Sequence, residues 1–212
     1  MRSQIPSFRL PEDVLNEEVN YILDMGIHTQ FKTYVASLKE VLAKDYDAVF
    51  IGTGAPRGKD LANLPGREEA KVNIHIGIEW LASVAFEHTE KIGKNVIVIG
   101  GGNTAMDCCR TSRRLGGDNV RVVVRSPFNE MKASPWEIED AQHEDIPFYN
   151  LHSPKRFVLE GGKLVGMEFE KVEAQYDNGK RNLVNTGEIV YMEADDVLMA
   201  IGQENSFPWI ER

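Results

Sequence analysis

The residues with the most pointed chemistry are Gly100-Gly101-Gly102-Asn103-Thr104-Ala105, which follow the apolar run Val96-Ile97-Val98-Ile99 without a break. In the pattern G-x-G-x-x-G/A, the first glycine makes a tight turn and the second lets the backbone approach a ligand. A small third residue lets the following helix pack on the sheet. Gly100, Gly102 and Ala105 occupy those slots, with Gly101, Asn103 and Thr104 in the same turn. A strand that ends so and opens a helix offers unpaired N–H groups and the positive end of a helix dipole, which suits a diphosphate. A glycine turn without a ligand is the plainer alternative.

The kind of dinucleotide is read about 20 residues further on, where a carboxylate would hold the ribose hydroxyls of NAD. The strand expected over residues 120–124 ends instead in Arg125-Ser126. A guanidinium and a hydroxyl there favour the 2′-phosphate of NADP(H) over NAD; the bland alternative is a solvated strand-end charge. Asp107 reads as a dipole or packing residue, and Arg113 and Arg114 as a solvated helix face. His28, His75, His88, His143 and His152 share no metal-binding spacing. His75 could meet a ligand near the linker, although a surface histidine is the simpler reading. Without a G-x-S-x-G turn or an H-E-x-x-H pair, hydrolase chemistry has no support, and no catalytic or metal-ligating side chain is assigned.

The elements that must position these groups alternate between strand and helix. Helices are expected from Pro11 to a stop at Gly26, over 37–43, through Ile76, Trp80 and Val84, over 103–115 and over 136–143. Strands are expected over 27–31, 47–51, 95–99, 120–124 and 146–148, with 56–72 as a linker. Beyond residue 150 the texture becomes an antiparallel meander, 155–160, 163–173 and 188–193, before a buried return strand over 196–201. The expected class is α/β, a Rossmann-like parallel sheet with crossover helices plus a small antiparallel meander.

Composition narrows the partners. The 212 residues carry 24 Lys+Arg against 33 Asp+Glu, a net charge of −9, which argues against nucleic acid. No apolar run approaches the roughly 20 residues of a membrane helix, and no signal-peptide core follows Met1. The two cysteines, Cys108 and Cys109, are adjacent and read as small buried thiols of a cytoplasmic protein. They are too few for an iron–sulfur cluster, which takes about four thiolates.

Several segments together resemble a known family: Ile5-Pro6-Ser7-Phe8-Arg9-Leu10-Pro11, Gly52-Thr53-Gly54-Ala55 with Leu64-Pro65-Gly66, and Gly100-Gly101-Gly102-Asn103-Thr104-Ala105-Met106-Asp107. Arg125-Ser126 with Glu130-Met131-Lys132-Ala133, and Ala194-Asp195-Asp196-Val197 continuing to Gln203, complete the set. Order and spacing are similar to the small (beta) subunit of NADPH-dependent glutamate synthase and related FAD/NAD(P)-dependent pyridine nucleotide-disulfide-type oxidoreductases. The resemblance implies a flavoprotein in which NADPH passes hydride to FAD and electrons continue through iron–sulfur clusters to a partner subunit. It implies an NADPH site at Gly100, Gly101, Gly102, Asn103, Thr104, Arg125 and Ser126. Thr53, Gly54 and Ala55 would approach FAD, with Ile5 and Pro6 near the flavin. Ala200, Ile201, Gly202 and Gln203 would lie where nicotinamide and flavin face each other.

The family usually carries two arginines where this chain has Arg125-Ser126, so use of NADH stays open. The resemblance further implies an excised piece: residues 1–60 a partial FAD-domain segment, 61–193 the NAD(P)H-binding domain with its meander near 154–193, and 194–212 a strand returning toward the FAD domain. Its implied partners are the FAD and iron–sulfur domains of the same polypeptide and a large amidotransferase or other electron-accepting subunit. The isolated piece is expected to be inactive. The rival reading is a non-catalytic NADP-binding regulatory module, with a stand-alone NAD-dependent dehydrogenase ranked lowest.

Overall fold

A computed structural model describes residues 1–210. In chain order the elements are α1 (Glu12–Leu23), α2 (Leu38–Leu42), β1 (Arg57–Gly58), β2 (Ile74–Ile76), α3 (Gly77–Ala85), β3 (Asn95–Ile99), α4 (Asn103–Arg114) and β4 (Asn119–Val124). They continue with α5 (Pro135–His143), β5 (Phe148–Asn150), β6 (His152–Glu160), β7 (Lys163–Asp177), β8 (Lys180–Glu193), β9 (Asp196–Met199) and β10 (Gln203–Glu204).

Five strands form a parallel sheet in the order β2-β9-β3-β4-β5. The apolar runs of β3, β4 and β9 need cover on both faces, and strand alternation assigns each side chain a face. Val96, Val98, Val122, Val124 and Leu198 pack with Trp80, Met106, Cys109 and Ile138 from the helices. Ile97, Ile99, Val123, Val197 and Met199 pack with Phe157, Leu164, Met167, Phe169 and Met192 from the antiparallel sheet β6-β7-β8. The parallel sheet is thus sandwiched between a helical layer and a second sheet. Among the described residues no helix is long and apolar enough to cross a membrane.

Local signals explain the element ends. Pro11 precedes α1 with Glu12 and Asp13 in its first turn, and Gly26 beyond it takes φ +92°. Pro135 opens α5 at a position that needs no N–H. Asn178 and Gly179 both take positive φ, as the tight hairpin between β7 and β8 requires.

Several expectations are corrected. Residues 27–31 and 47–51 form no strand, because neither has a ladder partner among the described residues; Phe50 is 95% exposed. Alternating or apolar pattern marks a face, but a strand also needs a neighbour for its N–H and C=O groups. The 56–72 stretch is docked: β1 pairs with β10, and Leu61 and Leu64 pack on the core between the two sheets. Residues 74–76 add an unexpected edge strand beside β9. The third strand begins at Phe148, after Pro147, whose carbonyl accepts from the Val122 amide at 3.0 Å. β7 and β8 run several residues past their expected ends.

Both thiols are buried among the helices. Burial pushes Cys108 well up, with Cys109 and Asp107 adding repulsion, and burial likewise pushes Cys109 up. Neither thiol is expected to react with a disulfide reagent at about pH 8 in the folded protein, while both react after denaturation. Native labelling at the rate of a peptide thiol would contradict this packing.

Candidate functional site

At the carboxyl end of β3 the chain turns at Gly100, whose φ of +142° suits glycine alone. A Cβ there would fall inside the van der Waals shell of the Ala200 carbonyl oxygen. One at Gly101 would sit 2.8 Å from Val124 Cγ1. Gly102 differs: its backbone is extended (φ −106°, ψ 177°) and a Cβ would meet nothing within 4 Å. The fold therefore demands glycine at 100 and 101, while at 102 it leaves open space beside the backbone. Ala105 and Met106 donate to the Gly102 carbonyl at 2.9 and 3.3 Å, starting α4. The amides of Gly101, Gly102, Asn103 and Thr104 have no protein acceptor among the described residues. No acidic side chain occupies the first turn of this twelve-residue helix, so its positive end is unopposed.

The loop after β4 is stitched to this turn. Lys132 and Ala133 amides both donate to the Gly101 carbonyl at 2.9 Å, and the Ser134 amide donates to Asn103 Oδ1 at 2.8 Å. β3 and β4 are in register with Ile99 beside Val123, which sets Arg125 and Ser126 at the same sheet edge as Gly100 and Gly101. Arg125 is exposed and makes no ion pair among the described residues. The Ser126 carbonyl accepts from Asn150 Nδ2 at 3.0 Å and from the Leu151 amide at 3.4 Å.

The segment after β9 closes the other side. Ala200 donates to the Ile99 carbonyl at 2.8 Å, Gly202 takes φ +117°, and its carbonyl accepts from the Lys59 amide at 3.0 Å. Ile201, partly buried, packs on the core between the two sheets. Gln203 Nε2 donates to Thr104 Oγ1 at 3.4 Å. Thr104, Gln203, Asn103, Gln4, Ile5 and Asp107 line a cavity of about 280 Å³ at the start of α4. Gly100, Gly101, Gly102, Asn103, Thr104, Ala200 and Gln203 are thus brought together. Thr53, Gly54 and Ala55 are not: they precede β1 in an exposed to half-buried stretch and do not line this cavity.

One constellation has no counterpart in the sequence reading. Arg9 Nη1 donates to both oxygens of Asp107 at 2.8 Å, and its Nε pairs with Glu137 at 2.6 Å. Arg110 carries the network on to Glu137, Asp140 and Glu144, and Arg114 joins Glu144 at 2.8 Å. The Phe8 ring lies 4.9 and 3.9 Å from the Arg110 and Arg114 guanidinium carbons, within cation–π range. Residues 8 and 9 thereby fasten the N-terminal segment to α4 and α5. Burial raises the Asp107 carboxyl even against the Arg9 bonds. Arg114 is engaged and not merely solvated, and Arg113 caps carbonyls of Gly117 and Asp118. The i, i+3 and i+7 spacing of Asp107, Arg110 and Arg114, which puts them on one helix face, was the available signal. His75 pairs with Asp196 at 3.0 Å at the start of β9, the end of the sheet opposite the glycine turn.

The profile of the family described as "Pyridine nucleotide-disulphide oxidoreductase" matches residues 4–211. The NADP(+)-dependent formate dehydrogenase subunit beta of Moorella thermoacetica is 32% identical over 213 residues, covering 98% of this chain and 30% of that protein. The NADPH-Fe(3+) oxidoreductase subunit beta of Geobacter sulfurreducens is 31% identical over 214 residues, covering 97% of this chain and 32% of that protein. The chain therefore spans about a third of the length of these relatives. Among solved structures, Mycobacterium tuberculosis FprA in complex with NADPH superposes with a TM-score of 0.78 at 18% identity, covering 95% of this chain and 61% of FprA. That likeness is one of fold.

Two outcomes are expected from this geometry. Gly100→Ala should destabilise the protein by about 2–5 kcal/mol, from backbone strain plus overpacking against Ala200. Gly102→Ala should change stability by less than about 1 kcal/mol. Urea unfolding that gives equal losses for the two would contradict the assignment. Burial opposes ionisation of Glu144, yet its hydrogen bonds with Arg114 and Arg110 prevail and hold its carboxyl below the usual 4.5. A depressed carboxyl stabilises the fold above its unfolded pKa, and that contribution is lost as pH falls through the folded value. Glu144→Gln should lower stability at neutral pH and flatten the acid limb of the stability profile; an unchanged limb would refute the pairing.

Proposed function

The chain belongs to the pyridine nucleotide-disulphide oxidoreductase family, and on that premise we propose that it forms the NADPH-binding portion of a flavin-dependent oxidoreductase. The observation that carries this reading is the set of amides at Gly101, Gly102, Asn103 and Thr104, which have no acceptor among the described residues, with the open space a Cβ at Gly102 would fill. A diphosphate accepts from such amides without any side-chain charge. Arg125, which has no ion-pair partner among the described residues, reads the adenosine ribose at the adjoining strand end. Asn103, which receives the Ser134 amide, holds the loop carrying Arg125 in fixed relation to the turn.

NADP and FAD are the cofactors of this reading: bound NADPH supplies a hydride that FAD accepts in the whole protein. On the flavin side, Ile5 lines the same cavity as Thr104 and Gln203, whereas Thr53, Gly54 and Ala55 stand apart, so this chain contributes one wall. Thr104 and Gln203 orient the nicotinamide end, and no acid or base need act in that step. On this reading the 212 residues alone bind nucleotide without turnover.

The finer assignment is a reductase of the glutamate synthase small-subunit kind, supported by the order of the Gly100–Asp107 and Ala194–Gln203 motifs. Its partners are FAD and iron–sulfur domains of a longer polypeptide and an amidotransferase or other electron-accepting subunit. Relatives named as the beta subunits of an NADP(+)-dependent formate dehydrogenase and an NADPH-Fe(3+) oxidoreductase support a partner subunit. The free thiols support a reducing, cytoplasmic setting.

Calorimetric titration with both reduced nucleotides tests the proposal. Arg125→Ala should weaken NADPH binding by about 1–3 kcal/mol, the scale of a lost charge-assisted bond, and leave NADH nearly unchanged. Equal losses for both would remove Arg125 from ribose recognition, and absence of any NADPH binding to the parent chain would overturn the function.

A further inference from the structure

β7 and β8 extend beyond what is needed to cover the parallel sheet. Val172 is the last buried residue of β7, and from residue 173 to residue 184 the two strands continue as an arm. Within it only Ala174 and Leu183, which face each other across the ladder, are half-buried. The root of the arm is fixed to the end of β4. Val172 donates to the Leu151 carbonyl at 2.9 Å, and Leu151 in turn donates to the Ser126 carbonyl. Its far end returns to the same loop. The Tyr176 hydroxyl and the Arg181 guanidinium both donate to the Glu130 carboxylate. Glu130 lies between Arg125 and Lys132, whose amide is bonded to Gly101. Arg181 is thereby held on the rim that joins the ribose-reading strand end to the glycine turn.

We propose that Arg181 is a specificity-determining residue for the 2′-phosphate of NADPH, a second cation beside Arg125 that Glu130 and Tyr176 hold ready at the rim. The inference rests on the NADPH reading of the site. A phosphate monoester dianion presents three outer oxygens, more acceptor capacity than one guanidinium fork satisfies. The Arg181–Glu130 pair is partly open to water, with side-chain exposures of 31% and 30%, so exchanging it costs little. A dianion competes for the guanidinium better than a single carboxylate does. NADH offers only hydroxyls at that point and leaves Arg181 on Glu130.

The test is calorimetric titration of the full chain with NADPH, NADH, and the fragments 2′,5′-ADP and 5′-AMP. Arg181→Gln should weaken NADPH and 2′,5′-ADP by roughly tenfold to a hundredfold. It should leave NADH and 5′-AMP within about twofold, as for a surface substitution. Arg181→Lys should recover part of the loss. Losses shared equally by all four ligands would make the arm a structural latch and overturn the proposal. So would unchanged NADPH affinity in Arg181→Gln alongside a weakened Arg125→Ala, with the nucleotide site itself left standing. A parent chain that binds neither reduced nucleotide would overturn both readings.

Discussion

The close approach of Gly100 to the Ala200 carbonyl governs the site. It exists because β9, drawn from far along the chain, inserts between the edge strand β2 and the central strand β3. With Ala200 donating to Ile99 and Gly100 donating to Val123, the turn is held from both neighbouring strands. The backbone must leave the sheet at a positive φ, and α4 must start where its first amides point into open space. A ligand at a sheet's carboxyl edge, between neighbouring strands and a helix N-terminus, is the arrangement expected of open α/β folds. The same contact brings Gln203 beside Thr104, so both sides of the cavity derive from one packing event.

Charge pairing carries the second constraint. Buried ionic groups need near-complete satisfaction, since an unpaired member is costly. Asp107 and Glu137 meet that need through Arg9, a residue close to the chain's first turn. This pairing places Gln4 and Ile5 over the start of α4 as a cavity wall. An N-terminal segment with few buried apolar residues is thus held mainly by polar contacts, with Phe8 stacking under Arg110 and Arg114. The antiparallel layer plays a comparable part at the other end, where the Ser126–Leu151–Val172 bonds join the strand end to β7.

What could be read from sequence divides along physical lines. The runs 95–99 and 120–124 and the helices that follow them were legible because both faces of the sheet are buried and the glycine turn punctuates them. Cys108 and Cys109 were legible as buried thiols for the same reason. Residues 47–51 were misread because an apolar run records a buried face in some context, while ladder partners are non-local. β2 is only three residues long, too short for any period to register. The arm of β7 and β8 was cut short, although Asn178-Gly179 is a strong hairpin signal. Among the residues proposed for the site, Gly100 to Thr104 follow from local geometry and Arg125 from position. Arg9 and Arg181 do not, because their partners lie 98 and 51 residues away.

The most direct test of the account is a backbone amide NMR titration with NADPH. If the turn binds the diphosphate, the amide resonances of Gly101, Gly102, Asn103 and Thr104 should show the largest perturbations. Those of the α4 interior, already bonded within the helix, should move little. Saturable binding that leaves these four amides unmoved while perturbing another surface would contradict the account.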